Sequence, residues 1–228
     1  MKFKIFTGIA ISISLFSTMT LAAGFGQSLC KSPNYHCVKV TKGQSWNSLF
    51  PDPDTRMVVK KVNRMNTPLH NGMVIAVPNN LTSNVMDFSP FPTKIDSAPA
   101  SGMVQVSLSK LAWGAYDSSG TLLNWGPVSG GKGYCPDIHH GCHTPTGSFK
   151  VFDKQGAGCI SHVFPIATHG GAPMPYCMHF HGGFALHGSP TVPGFNASHG
   201  CVRMFTEDAM WLNHNFVELG ETLVKILP

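Results

Sequence analysis

Cys201 lies in the stretch Ser198-His199-Gly200-Cys201-Val202, with a glycine directly before it and a histidine two residues before it. A cysteine reacts as its thiolate, so a catalytic thiol requires a nearby base and donors for the negative charge that develops on the attacked group. Gly200 permits a sharp turn that would direct the amides of His199, Gly200 and Cys201 toward one point. These residues predict a nucleophilic Cys201 with an oxyanion hole made of backbone amides.

Two of the 12 histidines are candidates for the base. His187 ends the apolar stretch FALHG and precedes Gly188, which places it at the end of a strand beside flexible backbone. His199 is two residues from Cys201, and the two side chains would share one face of an extended strand. On the residues alone both histidines remain candidates, although a turn at Gly200 would separate His199 from the thiol.

The chain begins with the residue order of a secretory signal peptide. Lys2 and Lys4 precede an apolar run from Ile5 to Phe16, and small residues follow near Ala22. The run is shorter than the roughly 20 residues of a membrane-spanning helix. We therefore predict a signal peptide over residues 1–22 and an exported mature chain with no integral membrane segment.

The other six cysteines all precede Cys201, and cysteines of exported proteins tend to pair. Six cysteines allow about 15 connectivities, and sequence alone does not choose between them. Their spacing favours pairs of neighbours: Cys30 with Cys37, Cys135 with Cys142, and Cys159 with Cys177. Cys201 is then the odd cysteine, either an intermolecular link or a reactive thiol, and the Ser-His-Gly residues before it favour the reactive thiol.

The net charge argues against a nucleic-acid partner. The formal charge of the whole chain is +5, from 16 Lys and Arg against 11 Asp and Glu. Removal of Lys2 and Lys4 with the signal peptide leaves 14 − 11 = +3. The basic residues are scattered rather than clustered on one segment, so no nucleic-acid-binding surface is predicted.

Three segments follow the signal peptide. Residues 35–78 have a short strand, two amphipathic stretches and a closing strand that stops at Pro78, which predicts a small α+β domain. Residues 79–102 contain several prolines and serines without periodicity, which predicts an extended linker. Residues 103–228 have short apolar runs bounded by Gly, Ser and Asp, with helical spacing only at 207–215. This last pattern predicts a mostly β domain.

The small domain resembles a LysM module, the fold that binds the glycan of peptidoglycan or chitin. The likeness rests on Tyr35, Gly43-Gln44-Ser45, Leu49, Asn63, Leu69, Gly72 and the closing Val77-Pro78. It implies glycan binding, and a spacer that binds no sugar is the alternative. The stretch PDPDT at 51–55 departs from the LysM pattern, because it interrupts the first helix.

Three motifs in the large domain resemble the L,D-transpeptidase catalytic domain of the YkuD type: TPTGSFKV at 144–151, LHG at 186–188 and SHGCVRM at 198–204. Members of that family adopt a β-sandwich and cross-link peptidoglycan through an active-site cysteine. The resemblance implies a mostly β fold, with a β-sandwich catalytic domain over residues 103–228 preceded by the small LysM-like domain. It implies peptidoglycan stem peptides and glycan as partners, and neither cofactor nor metal.

The resemblance also implies where the protein works. The paired cysteines and the stretch GGAPMPYCMHFHGG at 170–183 resemble exported enzymes of Gram-negative bacteria. The chain is therefore expected to be secreted across the inner membrane and to be periplasmic or associated with the cell wall.

Site roles follow from the same resemblance. Cys201 matches the nucleophile and His187 the general base, and the carbonyl of Gly188 would fix the imidazole through its other nitrogen. The family does not reserve position 199 for histidine alone, which favours His187 over His199 as the base. The residues expected at the substrate are Arg203 and Ser198.

The implied reaction begins with attack of the Cys201 thiolate on the carbonyl of the third residue of a stem tetrapeptide. D-alanine leaves, and a thioester acyl-enzyme remains. An amine of a neighbouring stem or of another acceptor then resolves the thioester, whereas water as acceptor would make the enzyme a carboxypeptidase.

Two other functions remain open. The stretches HFH at 179–181 and CPDIHHGCH at 135–143 are rich in zinc-ligand types, so a zinc-dependent peptidoglycan hydrolase is one alternative. The other is a wall-binding or adhesion protein with an inert catalytic fold. Intact Cys201 and His187 argue against an inert site.

Overall fold

The computed structural model describes residues 24–228, so the predicted signal peptide lies outside the described residues. Within that range no helix is both long and apolar enough to cross a bilayer. The described chain forms a small N-terminal α+β module and a larger, mostly β domain.

The module consists of four helices and strands between Tyr35 and Pro78, preceded by a short helix, and it has the predicted order of strand, helix, helix and strand. Its elements are α1 (Phe25–Leu29), β1 (Tyr35–Lys39), α2 (Trp46–Leu49), α3 (Pro53–Val62) and β2 (Val74–Pro78). Strands β1 and β2 pair antiparallel, and both helices lie between them in the chain. A small core that includes Val59 and Ile75 holds the helices against the strands.

The PDPDT stretch contains the start of helix α3. Helix α2 is a single turn that ends at Leu49, and α3 begins at Pro53. The Asp52 side chain accepts the Thr55 amide at 2.8 Å, and Pro53 occupies the first turn, where a missing N–H costs nothing. The interruption is therefore a helix cap.

The larger domain is built on one nine-stranded mixed sheet in the order β8-β13-β3-β4-β5-β12-β11-β10-β9. Its strands are β3 (Met103–Ser107), β4 (Ala112–Tyr116), β5 (Leu122–Ser129), β8 (Gly147–Lys150), β9 (Asp153–Lys154), β10 (Met178–His181), β11 (Phe184–Gly188), β12 (Val202–Met204) and β13 (Leu223–Leu227). A separate hairpin is formed by β6 (Gly133–Cys135) and β7 (His140–Cys142), and helix α4 (Thr206–Trp211) continues as a π-helix to Phe216.

The sheet curls on itself. Its two edge strands, β8 and β9, are separated in the chain only by residues 151 and 152, so the two edges must lie close together. The buried core accordingly contains side chains from both halves of the sheet. Val106 and Trp113 come from one half, and Leu186 and Met204 come from the other. The predicted mostly β fold is confirmed, with a curled sheet in place of two separate layers.

The segment 79–102, which we predicted to be an extended linker, packs against the large domain. It contains a 3₁₀ turn over Val85–Phe88, and Phe91 is buried beside Trp125 and Leu122. The Trp125 indole also donates to the Val85 carbonyl at 2.7 Å. The prolines and serines indicated a linker, but the apolar side chains between them bury surface on the sheet.

The three neighbour disulfides predicted from spacing are confirmed: Cys30–Cys37, Cys135–Cys142 and Cys159–Cys177. Cys201 is the free cysteine of the described chain.

Candidate active site

Two parallel strands bring the chemistry-bearing residues to one face of the sheet. Strands β11 and β12 pair so that His187 lies opposite Arg203. Cys201 directly precedes β12 and is two residues from Arg203, which places both side chains on the same face as His187. The alternate residues, Leu186 and Val202, point into the core.

His187 is oriented by backbone, as predicted. Its Nδ1 lies 2.9 Å from the Gly188 carbonyl oxygen, so Nδ1–H donates and Nε2 keeps its lone pair. The side chain is buried, and burial lowers the pKa of His187 to about 4, against the opposing effect of the Gly188 hydrogen bond. The imidazole is therefore neutral at pH 7 and available as a proton acceptor.

The Cys201 thiol lies in a mostly apolar setting. It packs against Ala185, Met174 and the Cys159–Cys177 disulfide. Burial raises the pKa of Cys201, although the Arg203 guanidinium and the Ala185 amide favour the thiolate. The resting site is thus a neutral thiol on the same sheet face as a neutral imidazole, and the proton must leave the sulfur as attack proceeds.

The turn before the nucleophile requires glycine. Gly200 has φ +123°, and a Cβ there would lie 2.4 Å from a ring carbon of Phe184. The Thr144 hydroxyl donates to the Gly200 carbonyl at 2.7 Å and accepts the Gly131 amide at 2.9 Å. Thr144 is the first residue of the TPTG motif, and its buried hydroxyl shapes the nucleophile turn. We predicted no site role for Thr144 from the sequence, although the motif itself was the signal.

Two of the three predicted oxyanion amides are free. The Gly200 amide donates to the Ser198 hydroxyl at 2.9 Å, so it is not open to a substrate, contrary to our prediction. The amides of His199 and Cys201 have no acceptor within residues 24–228. An oxyanion hole in this turn would therefore use the amides of His199 and Cys201.

Ser198 is not placed to contact substrate as we predicted. The side chain is buried, its hydroxyl donates to the Cys201 carbonyl, and it accepts the Gly200 amide. Its backbone joins the neighbouring segment through the Gly130 carbonyl and the Lys132 amide. Because the hydroxyl is used within the turn, Ser198 orders the backbone around Cys201.

Arg203 lies on the site face and is partly exposed. One guanidinium nitrogen is 3.4 Å from the Thr191 hydroxyl, in the loop that follows β11. Within the described chain Arg203 has no carboxylate partner, which leaves the guanidinium free to bind an anionic group.

A family model for the L,D-transpeptidase catalytic domain of the YkuD type matches residues 101–226, which is more than half of the chain. The chain belongs to this family. A solved L,D-transpeptidase from Xylanimonas cellulosilytica DSM 15894 is 25% identical, with a TM-score of 0.54 over 75% of this chain and 77% of that one. An L,D-transpeptidase from Stackebrandtia nassauensis is 23% identical, with a TM-score of 0.46 over 61% of each chain. A comparison with curated proteins finds no match.

A cavity of about 350 Å³ adjoins the thiol of this transpeptidase domain. Its walls include Ile160, Val163, Phe164 and Phe184, and three histidines also line it: His162, His179 and His199. The His199 ring lies 4.5 Å from the Phe164 ring, and its Nε2 is 2.7 Å from an Asp137 carboxylate oxygen. That carboxylate accepts from Nε2–H, so only the inner nitrogen of His199, Nδ1, keeps a lone pair.

The zinc alternative has little support in the geometry of the transpeptidase domain. The single group of metal-ligand types within residues 24–228 is Cys135, Asp137 and His199. The Cys135 sulfur is bonded to Cys142, and a disulfide sulfur does not act as a thiolate ligand. His179, from the HFH stretch, is paired with Asp153.

Proposed function

We propose that this chain is a peptidoglycan L,D-transpeptidase that forms a thioester on Cys201 from a stem tetrapeptide, releases D-alanine and transfers the acyl group to an amine. One observation supports this mechanism above the others. The only free thiol of the described chain shares a sheet face with a buried, neutral imidazole whose second nitrogen is fixed by a backbone carbonyl.

The catalytic steps follow from that arrangement. His187 Nε2 takes the thiol proton as Cys201 Sγ attacks, and the charge on the carbonyl oxygen is met by the free amides of the turn. The same proton then goes to the departing D-alanine nitrogen, which leaves as an amine. The acyl group stays on sulfur. Because one acyl bond replaces another, the reaction needs no external energy source.

The proposed setting is the cell envelope, with the stem peptides of the wall as substrates. Three disulfides within the described chain support an extracytoplasmic location. We infer that residues 35–78 bind wall glycan, which is supported by the LysM-like residues and by the β-α-α-β order of the module.

Incubation with purified tetrapeptide muropeptides, followed by mass spectrometry, tests the proposal. We expect D-alanine release and cross-linked dimers, a thioester adduct at Cys201, and hydrolysed tripeptide where water replaces the amine. Cys201→Ala should give no adduct and no dimer, and EDTA should leave the wild-type rate unchanged. Turnover by Cys201→Ala, or activity that chelation abolishes and zinc restores, would refute the thiol mechanism.

A further inference from the structure

A second histidine of the sheet faces the nucleophile from the opposite side. His179 on β10 pairs with Ala185 on β11, and Cys201 extends β12 along the other side of β11. His179 and Cys201 line the same cavity. His187, the base assigned to the thiol, also lies on β11, two residues after Ala185.

The His179 imidazole is held by a carboxylate through its inner nitrogen. Nδ1 is 3.0 Å from Asp153 Oδ2, and the Gln155 side chain donates to the same oxygen at 3.1 Å. Nδ1–H therefore donates, and the lone pair of Nε2, the outer nitrogen, has no partner within residues 24–228. A carboxylate on Nδ1 also stabilises the imidazolium that forms when Nε2 takes a proton.

In the other histidine–carboxylate pair of the cavity, the carboxylate contacts the opposite nitrogen of the imidazole ring. Asp137 is bonded to Nε2 of His199, which leaves only the inner nitrogen, and Phe164 packs on that ring. His162 lines the cavity, is exposed, and has no carboxylate partner in the described chain. Of these three histidines, His179 alone combines an oriented ring with a free outer nitrogen.

Transfer to an amine requires a proton acceptor beyond the one that activates the thiol. An alkyl amine is an ammonium ion at pH 7 and has no lone pair until it loses a proton. We propose that His179, oriented by Asp153, takes that proton from the acceptor ammonium before the amine attacks the thioester on Cys201. The inference rests on the proposed transpeptidase function and assigns the acceptor side of the same site.

The protons of the transfer step balance. The acceptor R–NH₃⁺ gives one proton to His179 Nε2, and R–NH₂ attacks the thioester carbonyl. As the new C–N bond forms and the C–S bond breaks, the second nitrogen-bound proton passes through His187 to the leaving sulfur. Cys201 returns as the neutral thiol, and the His179 imidazolium loses its proton to water.

The test separates the two half-reactions in the full chain. His179→Gln should acylate Cys201 at close to the wild-type rate, measured as adduct formation by mass spectrometry after rapid quenching. Transfer to a stem-peptide amine should fall by roughly 10²-fold, the low end for loss of a general base. Methoxyamine is neutral at pH 7 and needs no deprotonation, so transfer to it should be unchanged. His214→Gln, at an exposed histidine outside the cavity, is the matched control and should change neither step.

Each outcome has one meaning. Equal losses with the alkyl amine and with methoxyamine would overturn the proposal, because a distorted site slows both. Unchanged transfer to the alkyl amine in His179→Gln would also overturn it. Asp153→Asn keeps His179 and should show the same selectivity in weaker form, which guards against a folding defect of His179→Gln. If the wild type forms no acyl-enzyme, the proposed function fails instead.

Discussion

The protonation of the Cys201–His187 pair is decided by burial. Both side chains lose water on this face of the sheet, so the pKa of the thiol rises and that of the imidazole falls. The neutral pair is thus preferred over a thiolate–imidazolium pair. Chemistry then depends on coupled proton transfer to Nε2, which the Gly188 carbonyl keeps free by holding Nδ1–H.

The lowered pKa of His187 predicts acid sensitivity of the fold. The unfolded-state pKa of histidine is about 6.5, and the folded value is about 4. As pH falls below the unfolded value, the unfolded chain binds a proton that folded His187 does not, so stability is lost between about pH 6.5 and pH 4. The full loss is about 3 kcal/mol.

Urea unfolding of wild type and His187→Gln at pH 7, 5.5 and 4 measures this contribution. The other histidines are common to both proteins, so the difference between the two pH slopes isolates His187. We expect the wild type to lose more free energy of unfolding than the variant across this range. Parallel slopes would contradict the buried, neutral imidazole.

At the scale of elements, the loop after β11 is held by the module. The Asn66 side chain donates to the Ser189 carbonyl at 2.8 Å and accepts the Val192 amide at 2.9 Å, while the Asn66 amide donates to the Val192 carbonyl. This loop begins one residue after Gly188 and includes Thr191, the neighbour of Arg203. The module therefore orders a loop of the catalytic domain.

Asn66→Ala is predicted to lower turnover without touching the cavity. It leaves the Ser189 carbonyl and the Val192 amide without partners, at about 1–3 kcal/mol for each buried group. The loop should loosen around Arg203, so we expect kcat/KM on tetrapeptide to fall while iodoacetamide still alkylates Cys201. Asn71→Ala, at an exposed asparagine of the same module, is the control and should match wild type. Equal activity of the two variants would show that the loop does not need the module.

At the scale of the whole molecule, a buried ion pair joins the two parts. Lys61 of α3 lies 2.9 Å from the Asp208 carboxylate of α4, and each side chain is 5% exposed. The Lys61 ammonium also donates to the Trp125 carbonyl at 2.8 Å. Nearby, the buried Arg64 donates to the Lys110 carbonyl and packs on the Trp125 ring, and burial lowers its pKa to about 10. These contacts join the module to the sheet, so we expect the two parts to unfold together.

Removal of one ionic partner should destabilise the whole chain. Lys61→Met leaves an uncompensated buried Asp208 carboxylate, so we expect a loss of about 3–5 kcal/mol in the free energy of unfolding. The double variant Lys61→Met/Asp208→Leu removes both charges and should recover most of that loss. Denaturant unfolding should remain a single transition in each protein. A separate early transition of the module would contradict the expectation that the two parts unfold together.

Residue types and their local spacing predicted several features of this protein. The Ser-His-Gly residues before Cys201 predict a reactive thiol, and the resemblance of the LHG and SHGC motifs to the YkuD family implies His187 as its base. The disulfides join near neighbours, which is the pairing that the spacing favoured without deciding it. Short apolar runs bounded by Gly, Ser and Asp predicted the mostly β character of residues 103–228, because strand length and turn residues are local signals.

Only the tertiary structure decided the rest, because the remaining decisions depend on which distant groups meet. The Thr144 hydroxyl reaches the Gly200 carbonyl, and so shapes the nucleophile turn, from 56 residues earlier in the chain. Residues 79–102 were predicted to be a linker from their composition, whereas in the structure Phe91 of this segment is buried against the sheet. Likewise, the hydrogen bonds of Asp153 with His179, and of Asn66 with the loop after β11, join residues that are far apart in the chain. No local pattern encodes such contacts, since they form only when the sheet curls and the module docks.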